Sequence, residues 1–378
     1  MFVGHATRSS IRGTVRQGSA RGSFLLTRGT NSALFMRGVF TAGNRTFSVV
    51  DDPYGPPRLL DDDTGEVHGL FGSAIGSGFA TRDPVGGAVR LGVNGGTIAG
   101  ALATRVPVRQ LEVRFKSGNA TLAGTLTIPP GTGPHPAVAF VQGSGATQRA
   151  YLPDLDALLL HQGIAVLAYD KRGIAQSSGI YPGEAPDATT IDVLARDAEA
   201  AVRFLRAQPE IDATRVGLAG HSQGGWIVPL AATREPAVKF AVIFSGPAVT
   251  AYENDTYEHL AGEGDFPQQL SDAEVDAATL RDPGGVDPIP WIRAMSIPAL
   301  WLYGGLDKTV PSRLSVQRLA PIAAEAGRDF TIEWFPRANH ALVETQTGLT
   351  SEMLRSDTFA PGMFAAVSAW LRAHHLTR

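Results

Sequence analysis

An α/β architecture is predicted for most of this chain: a doubly wound, mostly parallel sheet carrying a helical lid insertion and preceded by a small all-β domain. Three observations predict it. From Val138 onward, apolar runs of strand length alternate with helical stretches, as in βαβ units. The string VGLAGHSQGG at 216–225 reads as a buried strand that turns through Gly-His-Ser-Gln-Gly into a helix. Before about Arg105 the texture differs, with short alternating runs cut by Gly, Asn and Pro at the spacing of a sandwich or barrel. The domains are accordingly read as 1–105, all-β, and 106–378, α/β.

The N-terminal strands are expected at Arg12–Val15, Ser23–Leu26, Ala33–Phe40, Thr46–Val50, Val67–Phe71, Ala88–Val93 and Thr97–Ala101. The first fifty residues hold seven arginines and no acid, after which Asp51, Asp52, Asp61, Asp62, Asp63 and Glu66 follow. An arginine-lined, solvated strand face beside an acidic loop accounts for this pattern. In Asp61-Asp62-Asp63-Thr64-Gly65 the glycine falls one place early for an EF-hand loop, and no metal site is assigned.

The second domain opens with a hairpin, Leu111–Phe115 and Ala120–Ile128, joined through Lys116-Ser117-Gly118-Asn119. Helices follow at Leu155–Gln162 and Thr190–Ala207, the latter with Ile191, Leu194, Ala198, Ala201, Val202 and Leu205 on one face. Val138–Val141, Ile164–Tyr169, Val216–Ala219, Phe240–Phe244, Ala299–Tyr303 and Phe330–Phe335 read as strands covered on both sides by helices. Between about 248 and 290 no strand is expected. That acidic, Pro- and Gly-broken segment, with only short helical pieces such as Asp272–Leu280, is read as a lid. A last helix carries Met363, Val367, Trp370 and Leu371 on one side.

Composition narrows the classes. A chain of 378 residues with 43% hydrophobic content allows two cores. The net charge of −3 gives no field suited to nucleic acid or an anionic membrane. Without cysteine there is no disulfide, thiolate catalysis or thiolate metal site. No apolar run reaches the ~18 residues of a membrane span. The first residues lack the apolar core of a signal peptide, which favours the cytoplasm, or secretion where a leader precedes Met1. A homodimer is compatible with the chain, and nothing in the sequence sets the oligomeric state.

In open parallel sheets the reactive groups lie on loops just after strands. Ser222 follows Val216–Ala219, Asp307 follows Ala299–Tyr303, and His340 follows Phe330–Phe335. Their chain order, Ser then Asp then His, is that of a hydrolase triad on a strand-turn-helix elbow. A serine hydroxyl is barely ionised at neutral pH, so His340 is needed to take its proton and Asp307 to fix the imidazole tautomer. Gly220 and Gly224 keep side chains out of the tight turn. The oxyanion donors are expected to be the backbone N–H of Gln223 and that of Ser144, on the loop Gln142-Gly143-Ser144-Gly145. Gly143 lets that loop approach closely. His221 is expected to point away from the site.

The strings YDKRGIAQSSG (169–179), GLAGHSQGG, LWLYGGLDKTVP and NHAL resemble those of bacterial serine esterases with the α/β-hydrolase fold, related to dienelactone hydrolases and prolyl-oligopeptidase-type peptidases. The resemblance covers about 106–378. It implies a cofactor-free carboxylesterase acting on a small-molecule ester through an acyl-enzyme on Ser222, with Arg172 bonding neighbouring backbone. Gln142-Gly143 departs from the His-Gly that many relatives carry. An aminopeptidase is the alternative, its acidic lid drawing a substrate amine; a receptor without turnover is the third reading.

Overall fold

Alternation of apolar and polar residues lets a strand bury one face, and the N-terminal third is built from such strands. The computed structural model describes residues 2–6, 10–17, 20–27, 38–50, 57–72, 79–81, 89–92, 95–262, 268–349, 352 and 358–377. Strands β1 (Phe2–Ala6), β2 (Ser10–Gln17) and β3 (Ala20–Thr27) form an antiparallel sheet of their own. Eight more close into an antiparallel barrel: β4 (Gly38–Ala42), β5 (Arg45–Val50), β6 (Arg58–Asp61), β7 (Val67–Gly72), β8 (Phe79–Thr81), β9 (Val89–Gly92), β10 (Gly95–Ile98) and β11 (Ala101–Val106). Phe40, Phe47, Val49, Leu59, Leu91 and Ile98 fill a common apolar cluster. Closure leaves no exposed edge to pair with another chain.

The expected single β module is thus two separate sheets, and the last barrel strand runs through Val106. Residues 33–37 of the expected strand Ala33–Phe40 lie outside the described residues. So do Asp51, Asp52 and the side chains of Arg12, Arg16 and Arg21, on which the charged-face reading rests.

The large sheet begins with β12 (Arg109–Ser117) and β13 (Ala120–Ile128), paired through a two-residue Gly118-Asn119 turn with Gly118 at φ +57°. Parallel strands follow: β14 (His135–Val141), β15 (Ala165–Tyr169), β16 (Ile211–His221), β17 (Ala241–Phe244), β18 (Ala299–Gly304) and β19 (Phe330–Phe335). The order is β12-β13-β15-β14-β16-β17-β18-β19, with only the β12-β13 and β13-β15 pairs antiparallel. β14 and β18 are buried along their whole lengths. β19 is not: its residues alternate with threonine and glutamate, and it forms the sheet edge with only Phe335 fully buried, against the expectation of cover on both faces.

Helices α1 (Pro153–His161), α2 (Ala188–Arg206), α3 (Gly224–Arg234), α7 (Ser312–Ala323) and α8 (Met363–Ala373) connect or cover these strands; between β17 and β18 the chain inserts α4 (Ala251–Ala261), α5 (Asp272–Thr279) and α6 (Ile289–Ala294). The short helical pieces expected between about 248 and 290 are α4 and α5, and α6 starts where that segment ends. α4 and α5 both start with a capping box, Thr250/Glu253 and Ser271/Glu274, which satisfies two otherwise orphaned N-terminal donors. Residues 263–267 of the expected lid lie outside the described residues.

The barrel packs on the α/β unit through apolar contact. Val50, Leu60 and Val67 share one buried cluster with Leu155 and Leu158 of α1 and with Phe364 and Val367 of α8. Arg58 pairs with Asp154, and the Gly65 carbonyl accepts the Phe359 N–H at 3.0 Å. Residues 358–360 in turn pair with 342–344, the turn that follows His340.

Candidate active site

Four strand-end loops converge at the carboxyl edge of the central strands. The turn after β16 is tight enough to put Ser222 at φ +53°, a left-handed conformation that costs a non-glycine residue of order 1–3 kcal/mol. It is held there by its N–H on the Phe244 carbonyl at 3.1 Å and by its own carbonyl on the Gly225 N–H at 2.7 Å. A Cβ at Gly220 would lie 2.8 Å from the Val228 side chain and one at Gly224 would lie 3.1 Å from the Val141 carbonyl, so this packing holds the elbow.

Asp307 lies in the turn after β18, only 2% exposed. Its Oδ1 accepts the N–H groups of Thr309 and Val310, both at 2.8 Å, and its Oδ2 lies 2.9 Å from His340 Nδ1. Two further contacts brace this turn: Tyr257 of α4 donates its hydroxyl to the Asp307 carbonyl at 2.7 Å, and Asn254 donates to the Thr309 carbonyl at 3.3 Å. His340 sits on the turn after β19. There Asn339, fully buried, accepts the N–H groups of Ala341 and Val343 on its side-chain oxygen. Gly304 and Gly305 admit this turn, because a Cβ on either would lie about 2.5–2.6 Å from the carbonyls of Ala338 and Pro336.

The loop after β14 runs close beside the serine. A Cβ at Gly143 would lie 3.0 Å from Ser222 Cβ and 2.4 Å from the Tyr151 hydroxyl, so only glycine fits. Among the described residues, neither the Ser144 N–H nor the Gln223 N–H donates to a protein acceptor. The structure thus brings Asp307 and His340 into contact and sets Gly143 against Ser222. Among the same residues no group of three or more His, Asp or Glu side chains could hold a metal ion, and no helix is long and apolar enough to cross a membrane.

Comparison with known proteins agrees with this architecture. Residues 132–263 match the family described as serine aminopeptidase S33, and residues 198–343 match the C-terminal domain of BAAT and acyl-CoA thioester hydrolases. The chain is 30% identical over 222 residues to the esterase EstD of Thermotoga maritima, covering 51% of each protein. It is 26% identical over 240 residues to a putative carboxymethylenebutenolidase of Methylorubrum extorquens, covering 61% of this chain and 71% of that one. It spans about half the length of the first of these relatives. Among solved structures, an esterase of Pyrococcus furiosus has the same fold, with a TM-score of 0.51 at 17% identity over 70% of this chain and 91% of its own. This chain has the α/β-hydrolase fold.

Within this fold, two sequence expectations need correction. His221 does not point away from the site: its ring lies 4.7 Å from that of His340, centroid to centroid. Its Nε2 donates to the His340 carbonyl at 3.2 Å, which leaves Nδ1 to accept from the Tyr151 hydroxyl at 3.3 Å. Burial, and next the His340 charge, pull its pKa down to about 3, so it stays neutral. Arg172 bonds not neighbouring backbone but the Asp197 carboxylate of α2, through Nε at 2.8 Å and Nη2 at 2.5 Å. The guanidinium fork matches a carboxylate better than a single carbonyl.

Sequence reading gave Lys171 no role of its own. Only 3% exposed, it donates to the carbonyls of Gly143 at 2.5 Å and Gly145 at 3.0 Å, and to Gln223 Oε1 at 3.2 Å. Its neighbour Asp170 is turned the other way. Burial raises that carboxyl, but bonds from Arg149 and the Gln176 N–H outweigh burial and hold it below its usual range. The one signal for Lys171 was a lysine directly after a buried strand, where a charge is costly unless it has work to do.

Proposed function

We propose that this chain is a serine carboxylesterase acting on small-molecule esters through an acyl-enzyme on Ser222. The observation that carries the reading is the 2.9 Å contact between His340 Nδ1 and Asp307 Oδ2, with the other carboxylate oxygen held by two backbone N–H groups. That arrangement keeps the Nδ1 proton on the aspartate side and leaves Nε2 free to take the Ser222 proton. Ser222 Oγ attacks the ester carbonyl as His340 accepts the proton; the carbonyl oxygen gains the charge. The N–H groups of Ser144 and Gln223 stabilise that oxyanion. His340 then hands its proton to the departing alcohol, and water repeats the sequence to release the acid. The inserted helices α4 to α6 serve as the lid, coupled to the site through Tyr257 on the Asp307 turn.

The aminopeptidase alternative drew on the acidic lid. Several of those acids are engaged within the protein: Glu253 with Arg318 and the Thr250 cap, Asp272 and Asp276 with Arg313, and Glu274 with the Ser271 cap. The three of these already paired with arginines, Glu253, Asp272 and Asp276, attract an amine weakly, which favours esters.

A burst of p-nitrophenol from p-nitrophenyl acetate, followed by slower turnover, is the expected result, together with far lower rates on aminoacyl p-nitroanilides. No burst, or faster cleavage of the anilides, would reverse the order of the two readings.

A further inference from the structure

We infer that Lys171 is the positioning residue of the oxyanion site, one ammonium group that aims both backbone donors. The inference rests on the reading of Ser222 as the acyl-accepting nucleophile. Lys171 Nζ clasps two carbonyls of the loop after β14 and the side-chain oxygen of Gln223, and so touches both segments that carry the oxyanion N–H groups. In a trans peptide the C=O and N–H point in opposite directions. Holding the Gly143 carbonyl on the lysine therefore turns the Ser144 N–H to the opposite side. The lysine backbone adds to the clasp, its N–H donating to the Thr147 carbonyl at 3.3 Å.

Among the described residues no carboxylate lies within ion-pair distance of Nζ. Three acceptors need three N–H groups, which an ammonium has and a neutral amine lacks. Burial pulls this ammonium down to about pKa 8, opposed by the field of Glu184. The groups facing it are few. The 143–147 loop carries no ionisable side chain, the elbow contributes His221, which stays neutral, and the 181–184 segment contributes Glu184 and the Tyr181 ring at 5.9 Å. Its chain neighbours Asp170 and Arg172 are committed to Arg149 and Asp197.

The test is Lys171→Met, of similar length and without donors, assayed on p-nitrophenyl acetate with a boronic acid as transition-state mimic. Losing an oxyanion donor costs about 10²–10³ in kcat. The expected result is a loss of about 10² in kcat with KM within threefold, and a similar loss in boronate affinity. The wild-type decline in kcat above about pH 8 should vanish in the variant. A merely structural lysine would move KM and kcat together and leave the pH profile in place; that result overturns the inference, as does unchanged kcat. Gln223→Leu removes one tether and keeps the backbone N–H; a kcat loss of about tenfold supports the clasp if Lys171→Met does not fold, and no loss overturns it. A wild type that shows no burst and no labelling at Ser222 refutes the esterase reading instead, a separate outcome.

Discussion

Replacing Asp307 by asparagine is nearly isosteric, yet it should disable the enzyme for a reason visible in its contacts. Oδ1 accepts two backbone N–H groups, from Thr309 and Val310, both at 2.8 Å. The asparagine must keep its carbonyl oxygen there, since an NH₂ facing two donors would strand three groups without acceptors. Its NH₂ is then forced onto His340 Nδ1, 2.9 Å away in the wild type. Nδ1 has to accept, the ring proton moves to Nε2, and the imidazole can no longer receive a proton from Ser222. The wrong tautomer in a triad costs about 10⁴ in kcat, or about 5.4 kcal/mol of transition-state stabilisation. Steady-state kcat on p-nitrophenyl acetate measures it, with near-UV circular dichroism to show that the fold is retained. Asp307→Ala is the control: it leaves the tautomer free, so the isosteric asparagine should be at least as damaging as the truncation. An asparagine variant within tenfold of wild type would refute this account and place the acid elsewhere.

Ser222→Ala and His340→Ala should each lower kcat by about 10⁶, and a fluorophosphonate should label the wild type at Ser222 but leave Ser222→Ala unlabelled, read by mass spectrometry. Arg172→Ala strands the 1%-exposed Asp197 carboxylate and should cost about 3–5 kcal/mol in denaturant unfolding; a loss under 1 kcal/mol would mean that Asp197 finds another partner. Burial, and next the charge of Asp154, push Asp156 up to about 8, and its Oδ1 has no hydrogen-bond partner. The native carboxyl is therefore protonated where the unfolded one is ionised, so its contribution to stability is present below about pH 4 and lost as pH rises through about 8. Asp156→Asn should match wild type in Tm near pH 4 and exceed it at pH 8; an equal offset at both would contradict the shift.

Local pattern was enough to find most of the α/β unit and to nominate the candidate triad. Strand and helix periods are written in neighbouring residues, and the rule that reactive loops follow strands picks Ser222, Asp307 and His340 without any knowledge of strand order. Helix α4 was expected only as an unplaced short piece because its sequence, AYENDTYEHLA, has no clean apolar stripe. Its capping box at Thr250 and Glu253 was the available signal, and its position depends on polar contacts such as Tyr257 to the Asp307 turn, fifty residues away. Barrel closure, the edge position of β19 and the split of the N-terminal strands into two sheets depend on which strands pair, and pairing partners leave no mark in local alternation. The same holds for the polar contacts around the elbow. Lys171 reaches back to Gly143 and across to Gln223, while His221 reaches forward to His340. A side chain's type says what it can bond, but burial removes water as a partner and leaves only what the fold brings within reach. That is why the sequence could nominate candidate reacting groups, and why only the tertiary structure could show which residues surround them.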